Sequence, residues 1–320
     1  MEAIVVGSAN ANVGIVQAIE RLRAGAGAMD AVVEAIRHVE ANPKDHSVGY
    51  SGLPNLLGEV ELDASVMDGR GLRYGAVGAL QGYQDAIELA RRVMDELPHS
   101  LIVGEGAARF AADNGLSPVE LLTPEAEAIW RTRMDKADGW SAANAAYADR
   151  MRALVRVITS DPELAAKGSY DEEPPHGTVN VIARDREGRI ACGVSTSGWA
   201  WKYPGRLGDS PIAGAGNYAD DRWGAAACTG RGEMALRCCT AHSVVTFLRF
   251  GLPLEEALRT AMEDLRALDD PYAGEMNIVA LDRDGNHGGA STSAEKTYIA
   301  MSESMTTWET RPRLWVPLEG

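Results

Sequence analysis

The chain has 320 residues and a net charge of −15, with 45% hydrophobic and 24% charged residues. That balance suits a folded protein with a large core. It excludes a nucleic-acid surface, which needs a basic face to hold phosphates. No run of eighteen apolar residues offers a membrane-spanning helix.

Met1-Glu2-Ala3-Ile4-Val5-Val6-Gly7 runs directly into a strand, without the basic start, apolar stretch and cleavage site of a secretory signal, so a cytoplasmic location is expected. Two helical patterns follow. Ile15, Ala18, Ile19 and Leu22 fall at helical spacing, and Met29, Val32, Val33 and Ile36 repeat it after Gly25-Ala26-Gly27; Pro43 stops the second helix. Residues 61–69 read as a strand ending in a turn and Tyr74 to Leu80 as another, with helices over roughly 84–96, 104–114 and 118–157.

Ser160-Asp161-Pro162 through Asp171-Glu172-Glu173-Pro174-Pro175 is acidic, proline-bearing and almost without apolar residues, as a mobile linker would be. It ends at His176-Gly177-Thr178, where the alternation of Thr178-Val179-Asn180-Val181-Ile182-Ala183 opens a strand. This strand turns at Asp185-Arg186-Glu187-Gly188 into 189–196, and a second hairpin turns at Asp284-Gly285 between 276–282 and a strand reaching Ser291. Between them lie two helices, one carrying Met234, Cys238, Ala241, Val245 and Leu248, the other Leu254, Ala257, Leu258, Ala261, Met262 and Leu265. Arg311-Pro312-Arg313 reads as a tail or a last edge strand. The order of elements predicts an α+β fold, a four-layer αββα sandwich of two mainly antiparallel sheets, with 1–320 as a single domain.

A threonine leading a strand after a linker suggests a cut site whose new N-terminus is the working residue. A freed α-amine, which ordinarily titrates at about 7.7–8.0, takes the proton from its own hydroxyl near neutral pH. A loop entering a strand accounts for Thr178 equally simply. Ser195-Thr196-Ser197-Gly198 ends the next strand, where Thr196 would stand beside Thr178; threonine followed by glycine is also ordinary turn chemistry. Arg206 and Asp209, in Gly205-Arg206-Leu207-Gly208-Asp209-Ser210-Pro211, suit the carboxylate and ammonium of an amino acid, or else form a surface ion pair. Thr229 and the Gly230 amide, in Cys228-Thr229-Gly230-Arg231-Gly232-Glu233, join a strand to a helix and could form an oxyanion hole; Thr229 as a helix cap is the rival reading. Asp45-His46-Ser47 supplies a further hydroxyl, and Trp199, Trp201 and Tyr203 alternate as strand residues that could wall a pocket, with ordinary packing as the equal alternative.

Cys192, Cys228, Cys238 and Cys239 show no Cys-x-x-Cys spacing and are expected to be buried thiols without a metal. There is no G-x-S-x-G, Walker loop or His-Glu-x-x-His, and Gly214-Ala215-Gly216 is too short for a nucleotide fingerprint, so no cofactor is expected.

Several blocks in order resemble the glycosylasparaginase (aspartylglucosaminidase) branch of the N-terminal nucleophile hydrolases, with plant-type L-asparaginases and isoaspartyl peptidases as near neighbours. They are Asp45-His46-Ser47-Val48-Gly49, Leu57 to Ala64, Met67-Asp68-Gly69, Gly75 to Leu80, and the stretch from Thr178 to Glu233. The resemblance implies that Thr178 is a nucleophile exposed by self-cleavage after Gly177, giving chains 1–177 and 178–320. It further implies that Thr196 and Ser47 support Thr178, that Arg206 and Asp209 hold the substrate's α-carboxylate and α-ammonium, and that Thr229 and Gly230 stabilise the oxyanion. The implied assembly is a pair of αβ protomers.

Glycosylasparaginases usually carry aspartate at the position of Gly177, whereas the asparaginase relatives have glycine. The glycoprotein-cleaving enzymes have tryptophan where the ungapped register places Ala9, which weakens the case for a sugar-bearing substrate. The expected activity is hydrolysis of the side-chain amide of asparagine or an N4-substituted asparagine. The alternatives are an isoaspartyl dipeptidase or plain L-asparaginase with the same nucleophile, or an uncleaved, inactive protein that binds asparagine-like ligands.

Overall fold

A computed structural model describes residues 1–135, 177–270 and 273–318. Strand β1 (Ile4–Ser8) passes through a short 3-10 turn (Ala9–Val13) into helices α1 (Ile15–Arg23) and α2 (Ala28–Glu40). The α1 stripe buries Ile15, Ala18, Ile19 and Leu22, while α2 carries Asp30 in its first turn and Arg37 and His38 in its last, matching the helix dipole. Strands β2 (Leu62–Asp68) and β3 (Arg73–Leu80) come next, then α3 (Ala86–Glu96), β4 (Leu101–Val103), α4 (Gly104–Asp113) and α5 (Pro124–Asp135).

The second half begins with the hairpin β5 (Val179–Arg184) and β6 (Ile190–Thr196). In its turn the Asp185 carboxylate accepts the N–H groups of Glu187 at 3.1 Å and Arg189 at 2.9 Å. Strands β7 (Asn217–Asp220) and β8 (Gly224–Gly230) precede helices α6 (Gly232–Cys238), α7 (Thr240–Arg249) and α8 (Leu254–Glu263). The chain closes with β9 (Met276–Asp282), β10 (His287–Ser291), β11 (Thr297–Ser302), β12 (Glu309–Pro312) and β13 (Leu314–Trp315).

These strands form an eight-stranded sheet, ordered β12-β11-β1-β5-β6-β2-β3-β4, and a five-stranded sheet, ordered β13-β10-β9-β8-β7. Pairings are antiparallel except at two edges, β3–β4 and β10–β13. Strand alternation divides the core. Val179, Val181 and Ala183 of β5 pack with α1, α2 and α3, whereas Ile182 faces Ala225, Ala227 and Val279 of the smaller sheet. A third apolar layer joins the outer face of that sheet to α6, α7 and α8. The four layers expected from the order of elements are therefore present, and the apolar side chains on both faces of each sheet account for them.

Several local expectations need correction. Of the helix expected over 118–157, the described part is helical from Pro124 to Asp135. Residues 118–123 form no helix, whereas 136–157, the linker 160–175 and His176 lie outside the described residues. The helix expected to carry Met234 through Leu248 is two helices, because Cys239 takes a left-handed conformation, φ +47°, between them. Residues 199–203 form no strand. Trp201 is buried against Leu53 and Leu56, and Tyr203 is exposed. Arg311 and Pro312 belong to an edge strand, paired with β11. Among the described residues no helix is long and apolar enough to cross a membrane.

Candidate active site

The β5–β6 register pairs Val179 with Ser195, which sets Thr178 beside Thr196 at the same end of the larger sheet. Thr178 Oγ1 donates to Thr196 Oγ1 at 3.2 Å. Thr196 Oγ1 also accepts the Gly198 N–H at 2.9 Å. Its own proton has two acceptors in reach, the Gly177 carbonyl oxygen at 3.1 Å and the Ser47 carbonyl oxygen at 3.4 Å. A hydroxyl at that position can polarise the Gly177 carbonyl while keeping Thr178 in place.

Ser47 approaches from the loop after α2. Its hydroxyl donates to Asp45 Oδ1 at 2.5 Å, and its N–H to the same oxygen at 2.9 Å. Asp45 Oδ2 accepts from Asn10 Nδ2 at 2.9 Å, and Asn10 Oδ1 accepts the Ser8 hydroxyl at 2.7 Å. Ser8 and Asn180 exchange two further bonds, Ser8 N–H to Asn180 Oδ1 at 2.9 Å and Asn180 N–H to Ser8 Oγ at 3.0 Å. One network thus ties Ser47 to β1 and β5. Ala9, inside the 3-10 turn, is exposed and places no ring beside it.

A cavity opens here, lined by Gly177, Thr178, Thr196, Gly198, Trp199, Arg206, Gly208, Asp209, Ser210 and Gly230. Arg206 and Asp209 thus face the same space as Thr178. The Arg206 guanidinium holds Glu233 through two bonds, Nε to Oε1 at 3.0 Å and Nη2 to Oε2 at 2.9 Å. Arg231 Nη1 reaches Glu233 Oε2 at 3.0 Å and lies over the Trp199 ring at 4.1 Å. Burial alone would raise the Glu233 carboxyl, but the Arg206 hydrogen bonds and both arginine charges hold it below its ordinary value.

Asp209 behaves oppositely. It is 5% exposed, and its Oδ2 has no hydrogen-bond partner among the described residues. Burial pushes its carboxyl up to about 6, and Arg206 offsets this only in part. A buried carboxylate oxygen without a donor, beside a guanidinium, suits an incoming ammonium group.

Thr229 is buried on β8, paired with Asn277, one residue behind the cavity-lining Gly230. Gly230 has φ +113°, and a Cβ there would meet the Glu275 carbonyl oxygen at 2.1 Å, so the chain needs glycine to turn from β8 into α6. All four cysteines are free. Cys192 and Cys228 are buried, and burial pushes both thiols up, while Cys238 is half-buried and Cys239 exposed, against the expectation of four buried thiols. None lines the cavity.

Of the residues read from sequence, Gly177, Thr178, Thr196, Trp199, Arg206, Asp209 and Gly230 line one cavity and Ser47 stands against Gly177, whereas Thr229, Trp201 and Tyr203 are not in its lining. The partners of Arg206 and Ser47 were not among the expected site residues. Asp45 could have been found, since an acidic residue two positions before a serine commonly bonds its N–H. Glu233 offered no such signal, because its partner lies 27 residues away and across a loop.

A model of the asparaginase family matches residues 7–310. An N(4)-(β-N-acetylglucosaminyl)-L-asparaginase of Elizabethkingia miricola is 33% identical over 281 residues, covering 85% of this chain and 73% of that protein. A protein of Arabidopsis thaliana named probable isoaspartyl peptidase/L-asparaginase 3 is 34% identical over 281 residues, covering 83% of this chain and 78% of its own. With four layers of the N-terminal nucleophile hydrolase type and matches of this extent, the chain belongs to the asparaginase family of amidohydrolases.

Proposed function

We propose that the chain cuts itself between Gly177 and Thr178 and then hydrolyses the side-chain amide of asparagine or an N4-substituted asparagine. One observation carries this reading: Thr178 Oγ1 and the Gly177 carbonyl oxygen both bond the Thr196 hydroxyl, at 3.2 and 3.1 Å. In the first reaction Thr178 Oγ1 attacks the Gly177 carbonyl carbon. The Gly177–Thr178 amide bond breaks as the ester forms, and the proton passes from the hydroxyl to the departing nitrogen. Water then hydrolyses the ester, leaving a Gly177 carboxylate and a Thr178 α-amine.

In the processed enzyme that amine takes the Thr178 hydroxyl proton as the oxygen attacks the β-amide carbonyl carbon. Thr229 and the Gly230 amide stabilise the oxyanion, a role worth about 3–4 kcal/mol for such a donor. The amine or ammonia leaves with the proton, and water hydrolyses the aspartyl ester. Arg206 takes the α-carboxylate by a guanidinium edge beside its Glu233 pair, and Asp209 takes the α-ammonium. The enzyme acts as a pair of cleaved αβ protomers.

A second reading, isoaspartyl dipeptides as substrates, is favoured by Ala9, small and exposed at the position where the sequence register places a tryptophan in the glycoprotein-cleaving enzymes, and by the name of the Arabidopsis relative. Assaying asparagine, an isoaspartyl dipeptide and N4-acetylglucosaminyl asparagine side by side tests both. Turnover of none of them by fully cleaved protein would reject the amidohydrolase assignment.

A further inference from the structure

The loop carrying Arg206 rests on a buried group of charges that no step above uses. Lys202 is 3% exposed, Glu61 4% and Asp63 0%. Lys202 Nζ donates to the Glu61 backbone carbonyl oxygen at 3.1 Å. It stands 3.7 Å from Glu61 Oε2 and 4.0 Å from Asp63 Oδ2. Asp63 Oδ1 accepts the Ala79 N–H at 2.9 Å, and its Oδ2 has no hydrogen-bond partner among the described residues. Well-packed apolar side chains often hold a core as firmly as buried ions do, so stability alone is a weak reason for this cluster.

Both ends of the cluster reach the cavity. The Glu61 carboxylate accepts the Gly205 N–H at 2.9 and 3.2 Å, one residue before Arg206. Asp63 lies opposite Thr196 in the β2–β6 pairing. The Lys202 side chain lies directly against Gly198, where a Cβ would come within 2.8 Å of Nζ. Gly198 is the residue whose N–H bonds Thr196 Oγ1. The intervening loop bends through positive φ at Gly198 (+78°), Trp201 (+64°) and Gly205 (+79°). For a tryptophan this is uncommon, and it persists where surrounding contacts over-determine it. Here the Trp201 N–H bonds the Pro54 carbonyl oxygen at 3.0 Å, and the ring packs with Leu53, Leu56 and Met134.

We propose that Lys202 and Glu61 are positioning residues for substrate recognition: the pair anchors the Gly198–Arg206 loop and so sets the place of the Arg206 guanidinium over the cavity. The ligand class it serves is an α-amino acid carboxylate, and the inference rests on Arg206 being the carboxylate clamp. The pair acts through Arg206 and touches no reacting atom.

The test uses full-length, processed enzyme carrying Lys202→Met, Glu61→Leu, or both. Each single change leaves an unpaired buried charge or donor and is expected to lower stability. The double variant is made with Asp63→Asn, because Asp63 would otherwise be left a buried carboxylate without its cation; with Asp63→Asn alone as its reference, it is expected to fold and process. Steady-state kinetics on the double variant should show KM for the substrate raised about ten-fold or more with kcat within about three-fold, since positioning of the bound carboxylate is lost. L-aspartate binding, measured by calorimetry, should weaken by the same factor. A folded double variant with unchanged KM and unchanged aspartate affinity overturns the proposal, as does a fall in kcat at constant KM. Wild-type enzyme that neither turns over asparagine-type amides nor binds aspartate overturns the functional reading and this inference together; an active wild type with an indistinguishable double variant overturns this inference alone.

Discussion

Ser47 and Gly177 are in contact so close that a Cβ on Gly177 would lie 2.0 Å from Ser47 Oγ and 2.5 Å from Ser47 Cβ. The Ser47 side chain cannot swing away freely, because Asp45 holds both its hydroxyl and its N–H. Any side chain at Gly177 would therefore displace the peptide that precedes Thr178.

Gly177→Ala should slow self-cleavage by about ten-fold or more, because overpacking of this kind typically costs about 1–3 kcal/mol and here falls on the reacting peptide. The double variant Gly177→Ala/Ser47→Gly should cleave faster than Gly177→Ala alone. Intact-mass time courses on freshly folded protein check both; cleavage of Gly177→Ala at the wild-type rate would contradict the account.

Thr178→Ala should stay a single chain and show no amidase activity. Thr196→Ala removes the donor to the Gly177 carbonyl oxygen and should slow cleavage on the order of 10²–10³-fold, the usual effect of losing one oxyanion-type donor. Quantitative electrophoresis against time separates the two outcomes.

Asp209 must be ionised to hold an ammonium, and burial pushes its carboxyl up to about 6 in the free site. L-aspartate affinity should therefore fall as pH drops through about 6. Asp209→Asn should bind weakly throughout and lack that limb. Calorimetric titrations between pH 5 and pH 8, roughly the window set by these values, provide the check.

Glu40 carries a prediction about stability. It is fully buried, with its carboxyl pushed up to about 8 by burial, against the lowering effect of the Ser195 hydroxyl at 2.6 Å and the Ile87 N–H at 2.9 Å. Below the unfolded value of 4.5 both states hold the proton and there is no penalty. Between 4.5 and about 8 the native state keeps a proton the unfolded state gives up, so stability falls as pH rises. Above that window the full penalty, on the order of 5 kcal/mol, remains. Glu40→Gln should flatten this slope in denaturant titrations run at several pH values.

The sandwich was legible because periods of two and of 3.6 residues mark the faces that must be buried, as Val179, Val181 and Ala183 show on β5. The Thr178–Thr196 pair followed from a short turn, which sets the register of its hairpin. The break at Cys239 was hidden because the apolar stripe from Met234 to Val245 continues across it, and neither glycine nor asparagine marks the left-handed residue. Trp199 and Trp201 looked like strand residues, yet their loop is bent by bonds from its N–H groups to the Pro54 carbonyl oxygen and, 144 residues from Gly205, to the Glu61 carboxylate. The Arg206–Glu233 pair was equally illegible, since a closed loop and a helix start have to meet before it exists.

The most direct measurement is the intact mass of freshly purified protein together with N-terminal sequencing of its smaller fragment. Scaling 34.2 kDa by 177 and 143 of 320 residues predicts fragments of about 19 and 15 kDa, the smaller beginning Thr-Val-Asn-Val. A single uncut polypeptide that nevertheless hydrolyses asparagine-type amides would contradict the account.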